Sequence, residues 1–409
     1  MVEFVGVTVT PESFGDYLRI TGSYTRSSGS AFDFHFVIPK RYADWIAPHT
    51  DGWYLLGVAA AFTLGEDYRH NGDVSPKLIR NSKSLIRQWH AFFPRRRLIK
   101  VHGATPRELT ASPQGGDLVA CLFTGGVDSA FTFAEKVNEV DVALLASFRF
   151  TAEVDYSYIV KRQQAYEAST HLLGVESLAV GNNLLSVLPE WGEAWSYLTH
   201  GAALVGMCHL LAGRIGMVSI SSSHSYGELI PWGSHPLTDN LLSSDDLAVE
   251  HYGTEYSRFD KVAKLASHPN LLKNLSVCGK PPGQKNGLIN CSECQKCVRT
   301  MAALDLSGVD KQECTSFDWS NYSLEKVSKV TLHHPNEYIF FEELIEAGRT
   351  RGRDDISLAA AAAIRRSSKF KPLVAVEGYL RRSFPAVGRM PVLAKAKKRF
   401  YSIVRQRST

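Results

Sequence analysis

The chain of 409 residues is 44% hydrophobic and 21% charged, an ordinary globular composition long enough for two or three domains. No apolar run is long enough to span a bilayer, and the first twenty residues lack the basic-then-apolar pattern of a secretory signal, so the expected location is cytoplasmic. The formal charge of +5 hides an asymmetry: residues 365–409 hold thirteen Lys/Arg and one acid, Glu377, a balance of +12, which leaves 5 − 12 = −7 for the rest.

Residues 1–112 read as a separate α+β domain. "FVGVTVT", "YLRITGSYT" and "FDFHFVIP" alternate with period two and predict strands. "SPKLIRNSKSLIRQWHAFF" predicts a helix opened by Ser75 as N-cap and Pro76 at the first helical position. "RLIKVHGA" predicts one more strand, and "TASPQGG" (110–116) a linker.

From Asp117 strands and helices alternate. "DLVACLF", "VDVALLASF", "ESLAV", "IGMVSIS" and "LAVEHYG" are short apolar runs of the kind that form buried strands. "YIVKRQQAYEASTHLL", "YLTHGAALVGMCHLLAG" and "SRFDKVAKLAS" read as helices between or after them. This order predicts a parallel sheet with helices on both faces, within a domain at 113–310. A helical segment is expected at 311–364, then the basic tail at 365–409. In the tail Leu393, Ala396, Phe400, Ile403 and Val404 share one helical face, with Lys395, Lys398, Arg399 and Arg405 mostly opposite.

The first strand of the alternation runs into "TGGVDS", Thr124 to Ser129, and a helix begins there. Gly125 and Gly126 let the backbone turn tightly and let a ligand approach its N–H groups. The helix start offers unpaired N–H groups and a positive dipole end, which suit a phosphate. The Thr124 and Ser129 hydroxyls could donate to phosphate oxygens. Asp128 repels phosphate unless a cation intervenes, so its best use is to help hold Mg²⁺. The alternative is plain: Gly-Gly as a turn, with Asp128 or Ser129 as a helix cap.

Cys278, Cys291, Cys294 and Cys297 cluster in "VCGKPPGQKNGLINCSECQKCVRT". Four thiolates at this spacing suit a closed tetrahedral Zn²⁺ site, with an iron–sulfur cluster as the competitor. Cys121, in a strand, and Cys208, in a helix, read as core. Trp191, Trp195, Tyr226 and Trp232 are candidates for a planar substrate pocket, and His200 and His235 for substrate contact.

"FTGGVDSAF" resembles the SGGxDS loop of the PP-loop ATP pyrophosphatases, with Thr124 where Ser is usual. The resemblance implies a HUP/Rossmann-like parallel sheet of order 3-2-1-4-5, ATP cleaved between its α- and β-phosphates, and an adenylylated intermediate. Thr124, Gly125, Gly126, Val127, Asp128 and Ser129 would then bind ATP and Mg²⁺. The switch point of such a sheet lies between its first and fourth strands. That would bring Ser221, Ser222, Ser223 and His224 to face the loop, unless this Ser-rich stretch is only a polar turn.

The cysteine motif is similar to that of the 7-cyano-7-deazaguanine synthases, with a longer spacer after Cys278, and Arg299 follows it. In that comparison "SRFDKVAKL" makes Lys261 a candidate near the phosphates, and Arg258 a weaker one. "LGEDYRHNGDVSPKLIRN", "LTHGAALVG", "SSSHSYGELIPWGSHP" and "NCSECQKCVRTM" resemble larger bacterial PP-loop proteins of unassigned substrate.

The expected activity is an AMP- and pyrophosphate-forming ligase. It would adenylylate a small-molecule carboxylate or amide and pass it to a nitrogen nucleophile, with Asp128, Ser129 and Lys261 catalytic. Two other readings stand beside it: an RNA-modifying enzyme of the tRNA-thiolation type, and a non-catalytic ATP sensor. Through the tail, an acidic partner, RNA or a membrane surface are the candidate partners, and a homodimer is compatible with the chain.

Overall fold

Three antiparallel strands open the chain: β1 (Val2–Pro11), β2 (Tyr17–Arg26) and β3 (Ala31–Pro39). Helix α1 (Asp51–Leu64) follows, then the short strands β4 (Tyr68–Arg69) and β5 (Asp73–Val74), helix α2 (Pro76–Phe92), and the short strands β6 (Val101–His102) and β7 (Thr105–Pro106). The alternation continues with β8 (Leu118–Leu122), α3 (Val127–Glu135), β9 (Val142–Phe148), β10 (Glu176–Asn182), α4 (Pro189–Ala194), α5 (His200–Leu210), β11 (Ile215–Ser221) and β12 (Ala248–Tyr252). Last come α6 (Arg258–Leu265), α7 (Pro269–Lys273), α8 (Gln295–Leu306), α9 (Leu324–Ser328), α10 (Pro335–Thr350) and α11 (Asp354–Ser368).

This computed structural model describes residues 1–108 apart from Phe14, 116–148, 174–278 and 288–368, with scattered positions from 160 to 170. The linker expected at 110–116 apart from Gly116, most of the helix expected at 158–173, the middle of the Cys278–Cys291 spacer and the tail beyond Ser368 lie outside the described residues. Among the described residues no helix is long and apolar enough to cross a membrane.

Strands β10, β9, β8, β11 and β12 lie side by side in that order, all parallel. Their order in the chain is therefore third, second, first, fourth, fifth. The strands expected within residues 1–112 share a sheet with this block. Strand β3 adds antiparallel to the edge of this parallel block, with Val37 opposite Gly181 and Phe36 opposite Asn182. The result is one mixed ten-stranded sheet ending in β4 and β6. The physical reason is burial: β3 contributes Phe34, Phe36, Val37 and Ile38, each at most 1% exposed, and so has apolar side chains for both faces.

The pleat divides the core. On β8, Ala120 and Leu122 pack on the side of α1 and α5, while Cys121, and Phe123 just past the strand, pack on the side of α3, α6 and α8. Helix α1 is sandwiched, with every residue from Asp51 to Thr63 buried. It ends at Gly65, whose positive φ of 70 lets its N–H return to Ala61 and Phe62 carbonyls. Helix α2 begins as its sequence predicts, the Ser75 hydroxyl accepting from the Leu78 N–H at 3.2 Å, with Pro76 following.

Helices α1 and α5 cross closely because small residues meet there. A Cβ on Gly52 would lie 2.5 Å from the Gly206 carbonyl oxygen, a backbone atom. Gly52→Ala should therefore push the helices apart and cost about 2 kcal/mol. Urea unfolding read by far-UV circular dichroism checks this, and an unchanged midpoint would refute the close crossing.

Candidate functional site

The TGGVDS loop sits at the carboxyl end of the central strand β8, where ligands bind in open α/β sheets. Gly125 has φ +71, a left-handed conformation that a side chain would strain. The Ser276 N–H donates to the Gly125 carbonyl at 2.7 Å, which pins the turn from outside. Helix α3 starts at Val127 with Gly126 as its N-cap and no side-chain cap, so its first-turn N–H groups are left for a ligand.

The two hydroxyls differ in role. The Ser129 hydroxyl is buried, donates to the Gly126 carbonyl at 3.1 Å and accepts from the Thr124 N–H at 3.1 Å. It knots the loop from within. Thr124 is exposed, and its hydroxyl lies 3.1 Å from that of Ser129.

Asp128 carries the charge of the site. Its Oδ2 accepts from Arg258 Nη1 at 2.5 Å, and its Oδ1 lies 3.9 Å from Lys261 Nζ with no hydrogen-bond donor of its own. Helix α6 delivers both cations, and the Ser257–Asp260 capping box fixes its start. Lys261 is 1% exposed and donates to the Ser222 carbonyl at 2.7 Å, just past β11. Burial holds its pKa below the ordinary lysine value, with Asp128 opposing that effect. The loop, α6 and the Ser-rich segment after β11 thus converge, and Ser222 takes part through its backbone.

His224 is 4% exposed, and neither ring nitrogen has a hydrogen-bond partner. Burial lowers its pKa to about 4, so the ring is neutral at neutral pH. It stands edge-on to Trp232 at 5.5 Å and parallel to Phe340 at 6.4 Å. A buried imidazole with both nitrogens unsatisfied is costly unless a ligand or water completes it.

Helix α10 closes the other side, which the sequence reading did not foresee. Phe340 lies under the guanidinium of Arg299 at 4.2 Å and that of Arg258 at 5.4 Å. Arg299 is 8% exposed, and burial pushes its pKa down to about 9. The Glu343 carboxyl, raised by burial to about 7, accepts from the Phe259 N–H at 2.9 Å. A small cleft lined by Arg258, Arg299, Phe340 and Glu343 opens between these groups. The pair "FF" in "EYIFFEEL" was the only available signal, and it reads equally well as core.

The four cysteines come together. All four Sγ atoms lie within 4.8 Å of one another. Cys294 is 3.4 Å from Cys297 and 3.9 Å from Cys278, and Cys291 is 3.8 Å from Cys297. These separations are far too long for disulfides. The Cys297 thiol lowers the pKa of Cys294 to about 5, and Cys297 is raised in turn. Four sulfur donors in this spacing could hold a metal ion such as zinc. Cys294 is the N-cap of α8, so the cluster anchors the helix that carries Arg299.

Of the other candidates, Trp232 links His224 to His200, whose ring lies 6.1 Å from it, and His235 is near enough to act on His224 electrostatically. Trp191 is fully buried against Phe34 at 5.0 Å, and Tyr226 is 65% exposed. His200 Nδ1 bonds the Trp195 carbonyl at 3.0 Å, and the His235 ring packs on Phe92 at 4.9 Å. Cys121 and Cys208 are buried core thiols, Cys121 pushed by burial to about 12. A second group with metal-ligand spacing, His49, Asp51 and Asp246, already contains the Arg107 guanidinium hydrogen-bonded to Asp246, and reads as an ion cluster.

The chain matches no protein-family model, and no curated protein or solved structure matches it significantly.

Proposed function

We propose that the chain is an ATP-dependent, AMP-forming enzyme of the PP-loop pyrophosphatase type, with a HUP-like sheet and a structural zinc ion. The observation that carries this reading is the convergence of Asp128, Arg258 and Lys261 on a Gly-rich turn at the carboxyl end of the central strand. In the proposed reaction an oxygen of a bound carboxylate or amide attacks the α-phosphorus of ATP. The bond to the β-phosphate oxygen breaks and pyrophosphate leaves. A nitrogen nucleophile then displaces AMP from the adenylylated carbon.

The turn at Gly125–Gly126 and the first N–H groups of α3 cradle phosphate, and Thr124 adds a hydroxyl. Lys261, Arg258 and Arg299 offset the charge that collects on pyrophosphate as it leaves, in a setting shielded from water. The neutral His224 and the backbone of Ser222 complete the wall beside them. Asp128 fits Mg²⁺, because its Oδ1 is a buried carboxylate oxygen lacking a hydrogen-bond donor. Mg²⁺ would screen the triphosphate and orient it.

Zinc is favoured over an iron–sulfur cluster by spacing. A tetrahedral shell with Zn–S near 2.3 Å separates its sulfurs by roughly 3.8 Å. The observed distances of 3.4, 3.8 and 3.9 Å bracket that value. Cysteines of a four-iron cluster bind different irons and stand much farther apart.

Product analysis of Mg-ATP turnover in a small-molecule cell extract tests the reading. AMP and pyrophosphate are expected, whereas ADP and phosphate would overturn it. Ser129→Ala, which loosens the loop but removes no charge, should lower the rate about tenfold.

A further inference from the structure

Between α2 and the last strand of the sheet lies a cleft of ≈ 510 Å³, remote in sequence from every group of the proposed ATP site. Its floor is apolar. Ile79 and Ile86 come from α2, and Ile99 from the segment that leads into β6. Leu98 stands at the edge, 50% exposed. Lys83, Arg87 and Lys100 line the same cleft and are exposed. Nearby Arg97 pairs with Asp67 at 2.7 Å. Among the described residues Lys83, Arg87 and Lys100 have no carboxylate within ion-pair distance.

The sequence makes this a built feature. From Ser75 to Ala104 there are eight Lys/Arg and no Asp or Glu. Yet the chain ahead of the tail carries −7 in all, so this stretch runs against the net sign of that part of the sequence. Lys83 and Arg87 are four apart on α2, which stacks two like charges at some cost to the helix. An anionic ligand would relieve that repulsion.

We propose that this cleft docks an acidic, extended segment of a partner protein. Its carboxylates would pair with Lys83, Arg87 and Lys100, and its alternate apolar side chains would rest on the isoleucine floor. The cleft lies beside β6, the two-residue strand that ends the ten-stranded sheet, so recognition rests on the charged and apolar side chains and not on strand pairing. The volume is that of a ligand cleft, and extended chains place alternate side chains on opposite faces.

Single-stranded nucleic acid is a poorer match. It binds through exposed aromatic faces on which bases stack. Of the lining rings, Tyr54 is 1% exposed with its hydroxyl 2.7 Å from the Ser82 hydroxyl, which leaves only the His102 imidazole. None of this depends on the ATP chemistry proposed above.

The test is fluorescence anisotropy on the full chain, with a labelled peptide of alternating Glu and Val as probe and labelled oligothymidylate as comparison. Saturable peptide binding that weakens with added salt is expected. The double variant Lys83→Glu/Arg87→Glu should weaken it at least tenfold. Leu98→Asp, at an exposed position that leaves the core intact, should weaken it several-fold. Circular dichroism verifies that both variants fold. Equal peptide binding by wild type and double variant would overturn the proposal and assign the binding to the basic tail. Oligothymidylate binding that depends on Lys83 and Arg87, with no peptide binding, would overturn it in favour of nucleic acid.

Discussion

Cys297→Ser should reduce bound metal from one equivalent per chain to nearly none and lower unfolding stability by about 4 kcal/mol or more. The size follows from what the cluster holds. Structural zinc contributes roughly 10–16 kcal/mol to small peptides that have little else. Here α8 also buries Met301, Ala302 and Leu304, so its packing would partly survive loss of the ion. Cys297 is itself buried, beside Cys291 and Cys294. Replacing it removes a ligand and leaves three thiols crowded without a cation. Cys314→Ser is the matched control: that thiol is buried, pushed to about 11 by burial, and lies outside the cluster. It should retain the metal. Elemental analysis with urea unfolding reads both effects. Iron with a visible absorption band would replace the zinc assignment with an iron centre, and full metal retention by Cys297→Ser would refute the site.

The same substitution tests the link from metal to site. Cys297 and Arg299 lie two residues apart on α8, and Arg299 rests on Phe340 of α10. A loosened α8 should lower ATP affinity even in chains that remain folded.

The parallel block was legible because its strands are short apolar runs bounded by polar residues and glycines. "DLVACLF" and "IGMVSIS" cannot be amphipathic helices of useful length, and both are strands. The cysteine spacing was legible because thiols cluster rarely without cause. Helix α1 was not. "DGWYLLGVAAAFTL" is buried on all sides, so it has no polar face and no 3.6-residue signal to betray it. The pairing of β3 with the parallel block was not legible either. It rests on the pairing of Val37 and Phe36 with Gly181 and Asn182, across more than 140 residues of chain. A strand able to pack on two faces signals burial but never names its neighbour. Phe340 and Glu343 reached the site for a related reason: α10 was expected as a helix, but helical periodicity does not say against what it packs.

Asp128→Asn should lower Mg-ATP turnover by about 10³-fold while strengthening the binding of metal-free ATP. The two effects separate charge from shape. Asn keeps the size of the side chain and a donor–acceptor end, so the turn at Gly125 and Gly126 should persist. What disappears is the negative charge that now faces Arg258 at 2.5 Å and Lys261 at 3.9 Å. On the proposed reading, without Mg²⁺ that carboxylate would repel the triphosphate while it holds Arg258 and faces Lys261. Once it is neutral, Arg258 and Lys261 are released to the ligand and metal-free binding tightens. On the proposed reading catalysis would fall because Mg²⁺ would lose its protein ligand. Lys261→Met gives the opposite pattern. Met has similar length and fills the buried channel, but the Ser222 carbonyl loses its donor and the site loses a cation. ATP binding and turnover should fall together, with or without Mg²⁺. Equilibrium ATP binding by calorimetry, with and without Mg²⁺, distinguishes the two variants. If both weaken metal-free ATP alike, Asp128 is not the metal-facing group, and the carboxylate serves only to anchor α6 to the loop.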